Sequence, residues 1–118
     1  LYRIIEPIEP GPDDQPGPGK YMSRMLLMAK RGEASNLLST LQGIRSNIPG
    51  RKPMINMAVA GNPDLVRIVA MYRSLEEFQT EQERRRQSDE MKSAVGQIGG
   101  LTTMVRSTLA RVVYNNMA

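Results

Sequence analysis

The feature that constrains the fold most is the stretch from Asn62 to Gly100, in which no proline or glycine occurs between Pro63 and Gly96. Asn62 is a favoured helix N-cap, Pro63 suits the first helical position, and Asp64 places a negative charge at the positive end of a helix dipole. These signals predict one helix of more than about thirty residues, roughly 50 Å long. A helix of that length exceeds the core of a 118-residue chain, so we expect it to take part in an assembly.

The predicted helix changes character along its length. Its first part carries an apolar stripe suited to a core, formed by Leu65, Ile68, Val69, Tyr72 and Leu75. The segment 79–90 contains no apolar residue, so we expect it to project into solvent or toward another molecule. Glutamates precede the run Arg84–Arg86 by three or four positions, which favours a salt-bridged surface over contact with nucleic-acid phosphates.

An apolar pattern resumes after the polar segment and keeps a heptad phase through three glycines, which is typical of a helical interface. The predicted oligomer interface is Met91, Val95, Ile98, Leu101, Val105, Leu109 and Val112. Three glycines inside a helix cost about 3 kcal/mol. We therefore prefer a hinge at Gly96 to Gly100 between two helices, with one continuous helix as the alternative.

The residues before Asn62 predict a small helical core. Apolar residues between Tyr21 and Ala29 recur with helical spacing, namely Met22, Met25, Leu26 and Ala29. A second apolar series runs from Ala34 to Ile44, and two helices that meet at Gly32 explain the pattern best. The apolar segment from Pro53 to Ala60 indicates a short helix, with a buried strand as the alternative, and either form belongs in the core.

The N-terminal segment 1–20 contains five prolines and three glycines, which excludes a helix and favours an extended chain. It predicts an arm that packs on a neighbouring subunit, or else a disordered tail. The predicted organisation is therefore an extended arm at 1–20 and a small helical core at 21–78. A projecting helix with a C-terminal oligomerisation or docking segment follows at 79–118.

Composition excludes several kinds of chemistry. The chain has no histidine and no cysteine, so it lacks the commonest metal ligands, the usual base near neutral pH and any disulfide. Its neighbouring carboxylates do not have the spacing of a calcium loop. We predict no enzymatic activity, no cofactor and no metal site. No secretory signal or membrane span is visible, which favours a location inside a cell or a particle.

The net charge is +4, and the basic excess lies in the middle of the chain. A candidate nucleic-acid patch comprises Lys30, Arg31, Arg45, Arg51 and Lys52, because few acidic residues lie near them in sequence. Aromatic residues for base stacking are scarce, so only phosphate contacts are predicted. A plain solvated surface is an equally good interpretation.

These observations predict an all-α protein: a small helical bundle with one long projecting helix, a C-terminal helix after a glycine hinge, and an extended N-terminal arm. Such parts suit a self-assembling structural protein, such as a virion, nucleoprotein or filament component. Its partners would be further copies of itself, with nucleic-acid phosphates as a candidate and no membrane span. The alternative is a protein-binding adaptor or phosphoprotein-like module without nucleic-acid contact.

Overall fold

A five-stranded antiparallel sheet organises the chain in the computed structural model, which describes residues 2–11, 20–48, 50–59 and 61–111. The strands lie in the order β1-β3-β4-β2-β5. The elements in chain order are β1 (Tyr2–Glu6), β2 (Tyr21–Ala29), α1 (Ala34–Ser46), β3 (Met54–Ala58), β4 (Leu65–Tyr72), α2 (Leu75–Gln87), α3 (Asp89–Leu101) and β5 (Thr102–Arg111). The architecture is α+β, so the all-α prediction is wrong.

The first predicted helix is instead the strand β2, which lies between β4 and β5. Leu27 of β2 pairs with Val66 on one side and Val105 on the other. Side chains alternate across a strand, so Leu27 faces the helices while Leu26 faces the other side of the sheet. Because β2 is apolar at both odd and even positions, and so on both faces of the sheet, its sequence also matches helical spacing. That ambiguity is the physical reason for the error.

The long helix predicted from Asn62 does not exist as one element. Its first apolar stripe lies largely on the strand β4, and two serines divide the remainder into α2 and α3. Ser74 caps α2 by accepting a hydrogen bond from the Glu77 N–H at 3.0 Å. Ser88 caps α3 by accepting one from the Met91 N–H at 3.3 Å. The Asn62 side chain accepts from the Asp64 N–H at 2.9 Å, which makes a local turn of the Asx kind instead of a helix cap.

The glycine hinge and the C-terminal helix are also wrong predictions. Gly96, Gly99 and Gly100 all lie within α3, and the chain passes directly from Leu101 into the strand β5. The β5 segment contains four β-branched residues, Thr102, Thr103, Val105 and Thr108, which suits a strand better than a helix. Val112 of the predicted heptad stripe lies outside the described residues.

The remaining predictions have mixed outcomes. The helix predicted from Ala34 is present as α1, and the strand alternative for the segment from Pro53 is confirmed as β3. The front of the predicted arm is not an arm, because β1 pairs antiparallel with β3 of the same chain, with Tyr2 opposite Ala58. Residues 12–19 of the predicted arm lie outside the described residues.

The two faces of the sheet differ in what covers them. All three helices pack on one side, here called the core face, where Leu27, Leu37 and Val66 are fully buried. The opposite side, here called the open face, has no covering helix in the described part of the chain. Pairing of the strands places these side chains on the open face: Tyr2, Met22, Arg24, Leu26, Met28, Met54, Leu65, Arg67, Val69, Met71 and Met104.

Candidate ligand cavity

A cavity of about 640 Å³ opens between the core face of the sheet and the helices. This volume falls in the range of roughly 300–1,000 Å³ that is usual for small-molecule sites. Strands β2 to β5 form its floor, and α1, α2 and α3 form its walls. The apolar lining residues are Met25, Leu41, Ile44, Ile48, Pro53, Ile55, Ile68, Met91, Val95, Ile98 and Val105.

One glycine borders the cavity. Gly99 lies on α3 and lines the cavity, and a Cβ added there would meet no atom within 4 Å. The neighbouring Gly100 also has free space around its Cα but does not line the cavity. A side chain at position 99 would therefore occupy space that the helix now leaves empty.

Positive charge dominates the lining. Its charged residues are four cations, Arg45, Arg85, Arg86 and Lys92, and no carboxylate belongs to the described lining. Charges of one sign around an apolar cleft create a potential that attracts the opposite sign. The cavity is therefore suited to a molecule with an apolar body and a negative charge.

Arg45 stabilises the fold and is not free to bind a ligand. Its Nε donates to the Pro53 carbonyl at 2.9 Å, and its Nη2 donates to the Pro7 carbonyl at 2.7 Å. It also forms ion pairs of 3.3 Å with both Glu6 and Glu9. These contacts fasten the segment after β1 to the end of α1, with the guanidinium nearly buried.

Arg85 occupies a different position, between two cavities. It lines the 640 Å³ cavity and also a neighbouring one of about 460 Å³, to which Tyr72 contributes. Its Nε lies 3.3 Å from Glu81, and that carboxylate also accepts from Arg84 at 2.6 and 3.1 Å. One carboxylate therefore serves two guanidinium groups, and Arg84 makes the shorter bonds.

The titration of the neighbouring groups reflects this arrangement. Burial raises the pKa of the Tyr72 phenol above its ordinary value, although the charge of Arg85 and its hydrogen bond oppose the shift. Burial alone would raise the pKa of Glu81, but the hydrogen bond from Arg84 and the charge of Arg85 outweigh it and lower that pKa. Tyr72 thus stays protonated and Glu81 stays ionised near neutral pH.

The candidate nucleic-acid residues do not form one patch. Lys30 and Arg31 are exposed before the start of α1, whereas Arg45, Arg51 and Lys52 lie near its other end. Thirteen helical residues separate the two groups by about 18 Å along the helix axis. The two exposed residues are therefore remote from the other three.

The second group is occupied by contacts within the chain. Arg51 donates to the Met71 carbonyl at 2.6 Å and pairs with Glu77 at 3.3 Å. The Lys52 ammonium donates to three carbonyls at 2.8 to 3.2 Å, those of Arg45, Ser46 and Ile48. Nucleic-acid binding stays a prediction, and these contacts give it no added support.

The predicted oligomer residues are distributed over several environments. Ile98 and Leu101 pack against the buried core, while Val95, Val105 and Leu109 are exposed. Four of the set line the cavity, namely Met91, Val95, Ile98 and Val105. The single helical stripe that linked them is absent because α3 ends at Leu101. Their role in an interface stays a prediction.

Sequence reasoning did not identify Arg85 as a site residue, although it did predict the ion pairs of its neighbourhood. The pairs are present, with Arg84 and Arg85 on Glu81 and Arg86 on Glu83 at 3.4 Å. One available signal was that two arginines share Glu81, so the carboxylate does not balance all of the positive charge of the arginine run. Among the described residues no cluster of three acidic side chains could hold a metal ion, and no helix is long and apolar enough to cross a membrane.

The sheet and its three helices define an α+β fold that solved structures of other proteins share. A NIPSNAP family protein from Agrobacterium tumefaciens matches with a TM-score of 0.70 and 10% identity over 93% of this chain and 97% of that chain. A candidate antibiotic biosynthesis monooxygenase from Deinococcus radiodurans matches with a TM-score of 0.62 and 16% identity, over 83% and 99% of the two chains.

A third structure is that of an anthrone oxidase-like protein, with a TM-score of 0.72 and 16% identity. The match covers 96% of this chain but only 54% of the other, so this chain spans about half of that protein's length. No protein-family model matches the sequence, and no curated protein matches it significantly. At these identities the likeness shows the fold alone.

The shared fold overturns the predicted function. The prediction of a virion, nucleoprotein or filament component depended on a long projecting helix, a helical oligomer stripe and an extended arm. The chain instead has the α+β fold of NIPSNAP and antibiotic biosynthesis monooxygenase-like proteins. The description as a helical, self-assembling structural protein is therefore wrong.

Proposed function

We propose that this protein binds an apolar small molecule in the cavity between the core face and the helices. The observation that carries the proposal is a cavity of about 640 Å³ whose lining is predominantly aliphatic. Burying roughly 200 Å² of apolar ligand surface there would contribute about 5 kcal/mol before the costs of association.

The lining also indicates how the ligand is recognised. No aromatic ring belongs to the described lining of this cavity, so aromatic stacking contributes nothing there and shape and dispersion contacts dominate. Met25 and Met91 have flexible side chains that adapt to irregular ligands. The proposal is therefore for a class of apolar molecules, selected by size and by the charge at one end.

A substitution on α3 tests the proposal directly. Gly99→Leu places a branched side chain in the space where the ligand would lie, and we expect it to weaken binding at least about tenfold. The measurement is a fluorescence titration with Nile red, an uncharged dye that emits more strongly in apolar surroundings. The substitution should not weaken the helix, because leucine favours helices more than glycine does.

Gly100→Leu is the matched control, since it makes the same chemical change on the same helix outside the cavity lining. It should leave the dye affinity of the wild-type protein unchanged. Equal loss in both variants would mean that the dye reports a general property of α3. Unchanged binding in Gly99→Leu, with folding verified by circular dichroism, would contradict the proposed site.

Oxygenation of a phenolic or enolic ligand is a second candidate function. Two of the similar structures are named for a monooxygenase and an anthrone oxidase-like protein, and the cationic lining here would favour the ionised form of such a ligand. In the simplest case a ring methylene loses two hydrogens and gains one oxygen atom of dioxygen, while the other leaves as water. Dioxygen uptake on adding an anthrone tests this candidate, and uptake only at the uncatalysed rate would contradict it.

A second copy of the chain is the partner that we propose for the open face. Five strands about 4.8 Å apart, with a mean length of roughly 24 Å, present roughly 600 Å² per protomer. Two such faces reach the area of about 1,200 Å² at which specific interfaces begin. Flexible methionines supply much of the surface, together with Arg24, Arg67 and Arg106, and a partly apolar face that no helix covers favours an interaction site. An isologous dimer would match the open face with itself.

A further inference from the structure

We infer that the ligand of this cavity carries an anionic group, and that Arg85 binds that group. The inference rests on the proposed function and names the chemical class of the ligand: an apolar body that ends in a carboxylate or another oxyanion. It follows from the charges of the lining, the contacts of each cation and the position of Arg85 at the cavity wall.

The charge of the lining disfavours a cationic ligand. Four cationic side chains and no carboxylate surround the apolar space in the described lining. An ammonium group placed there would face these cations first, because the carboxylates that pair with the three arginines lie outside the lining, and its desolvation would have little compensation. A neutral ligand would bind through its apolar body alone. An oxyanion would gain charge-assisted hydrogen bonds, which are roughly twice as strong as neutral ones.

Arg85 is the cation best placed to make those bonds. Arg45 is nearly buried and already donates to two carbonyls and two carboxylates. Arg86 has a side chain that is 75% exposed, and Lys92 is exposed as well, so water screens both charges. Arg85 is only 26% exposed at its side chain, which leaves its guanidinium at the boundary between solvent and the apolar cavity.

Arg85 has two partners within the chain and keeps further donors. Its Nε donates to Glu81 at 3.3 Å, while that carboxylate accepts the shorter bonds of 2.6 and 3.1 Å from Arg84. The Arg85 side chain also hydrogen-bonds the Tyr72 phenol. Because a guanidinium has five N–H donors, Arg85 keeps donors for a ligand. A planar guanidinium held on one side can present two parallel N–H groups to a carboxylate. This geometry positions the anionic end of the ligand at the α2 side of the cavity.

Three probes with one alkyl chain test the inference: decanoate, 1-decanol and decylamine. They are titrated by isothermal calorimetry below the critical micelle concentrations of decanoate and decylamine and below the solubility limit of 1-decanol. We expect decanoate to bind at least about tenfold more tightly than 1-decanol, because charge-assisted hydrogen bonds are roughly twice as strong as neutral ones. Decylamine should bind most weakly. In Arg85→Met the affinity for decanoate should fall to that for 1-decanol, whose own affinity should not change.

Arg86→Met is the matched control, since it removes an equal charge from an exposed neighbour. It should change decanoate binding by less than twofold. Equal losses in the two variants would contradict the assignment to Arg85 and indicate a diffuse field. Equal affinity of the wild-type protein for decanoate and 1-decanol would overturn the inference while leaving the proposed function intact. Failure of all three probes to bind would instead contradict the proposed function.

Discussion

Replacing Leu27 with alanine is expected to lower the free energy of unfolding by about 2–5 kcal/mol, the range for a fully buried leucine. Leu27 is 0% exposed and lies on β2, which pairs with β4 on one side and β5 on the other. Its side chain belongs to the buried cluster that links β2 to α1, β3 and β4. Alanine would leave a void that neighbours on two layers cannot fill. Urea unfolding followed by circular dichroism measures the loss.

Leu26→Ala is the control for this prediction, and it also separates the two fold classes. In the strand, Leu26 faces away from the buried cluster, so at low protein concentration its substitution should cost less than about 1.5 kcal/mol. In the helix that the spacing predicted, Leu26 would belong to the buried stripe and Leu27 would not. A larger loss at Leu26 than at Leu27 would therefore contradict the strand.

Leu26→Lys is expected to convert a dimer into a monomer. The side chain lies on the open face, on β2 between β4 and β5. An ammonium group there would lie between Arg67 and Arg106, its direct cross-strand neighbours. A face-to-face dimer would bury these three like charges together, at a cost that exceeds what such an interface can sustain. Sedimentation velocity of the wild-type protein and the variant measures the change in mass.

Val95→Lys provides the comparison, because Val95 is 62% exposed on α3 and belongs to the C-terminal stripe predicted from the sequence. It should leave the dimer intact. A monomer in Val95→Lys together with a dimer in Leu26→Lys would place the interface on the stripe and contradict its place on the open face. A wild-type monomer at high concentration would contradict both assignments.

Patterns among residues close together in the sequence correctly predicted the features that depend on contacts between such residues. The apolar series from Ala34 predicted α1, and the spacing of Glu81 before Arg84 and Arg85 predicted their ion pairs. The strands were missed because β2 is apolar on both faces, so its pattern does not distinguish a strand from a buried helix. A central strand with one polar face would have shown strict alternation.

Two cap signals were present and could have divided the long helix. Ser74 is followed three positions later by Glu77, the capping-box spacing, and Ser88 precedes the acidic first turn of α3. The prediction of one long helix relied on the absence of proline and glycine and did not use these serines. Serine interrupts a helix less strongly than proline or glycine does, but its hydroxyl can cap the start of a new helix.

The cavity was beyond the reach of sequence patterns because distant segments form it. Met25, Ile55 and Ile98 meet there only after the sheet has assembled. The role of Arg45 was also beyond the reach of sequence patterns, because no acidic residue lies near it in sequence. Its carboxylate partners, Glu6 and Glu9, come from the opposite end of the chain's first half. Its charge therefore suggested an exposed contact where the fold has a buried anchor.

The strand order has a consequence for how the protein folds. Leu27 pairs with Val66 and Val105, so β2 has no partner close to it along the chain. Every hydrogen bond of this strand requires the closure of a long loop, and high contact order slows folding toward the millisecond-to-second range. During that time an apolar strand with two unpaired edges is free to join another chain. In this protein, β2 links β5 to the rest of the sheet, and it is also the segment most prone to aggregation before the sheet is complete.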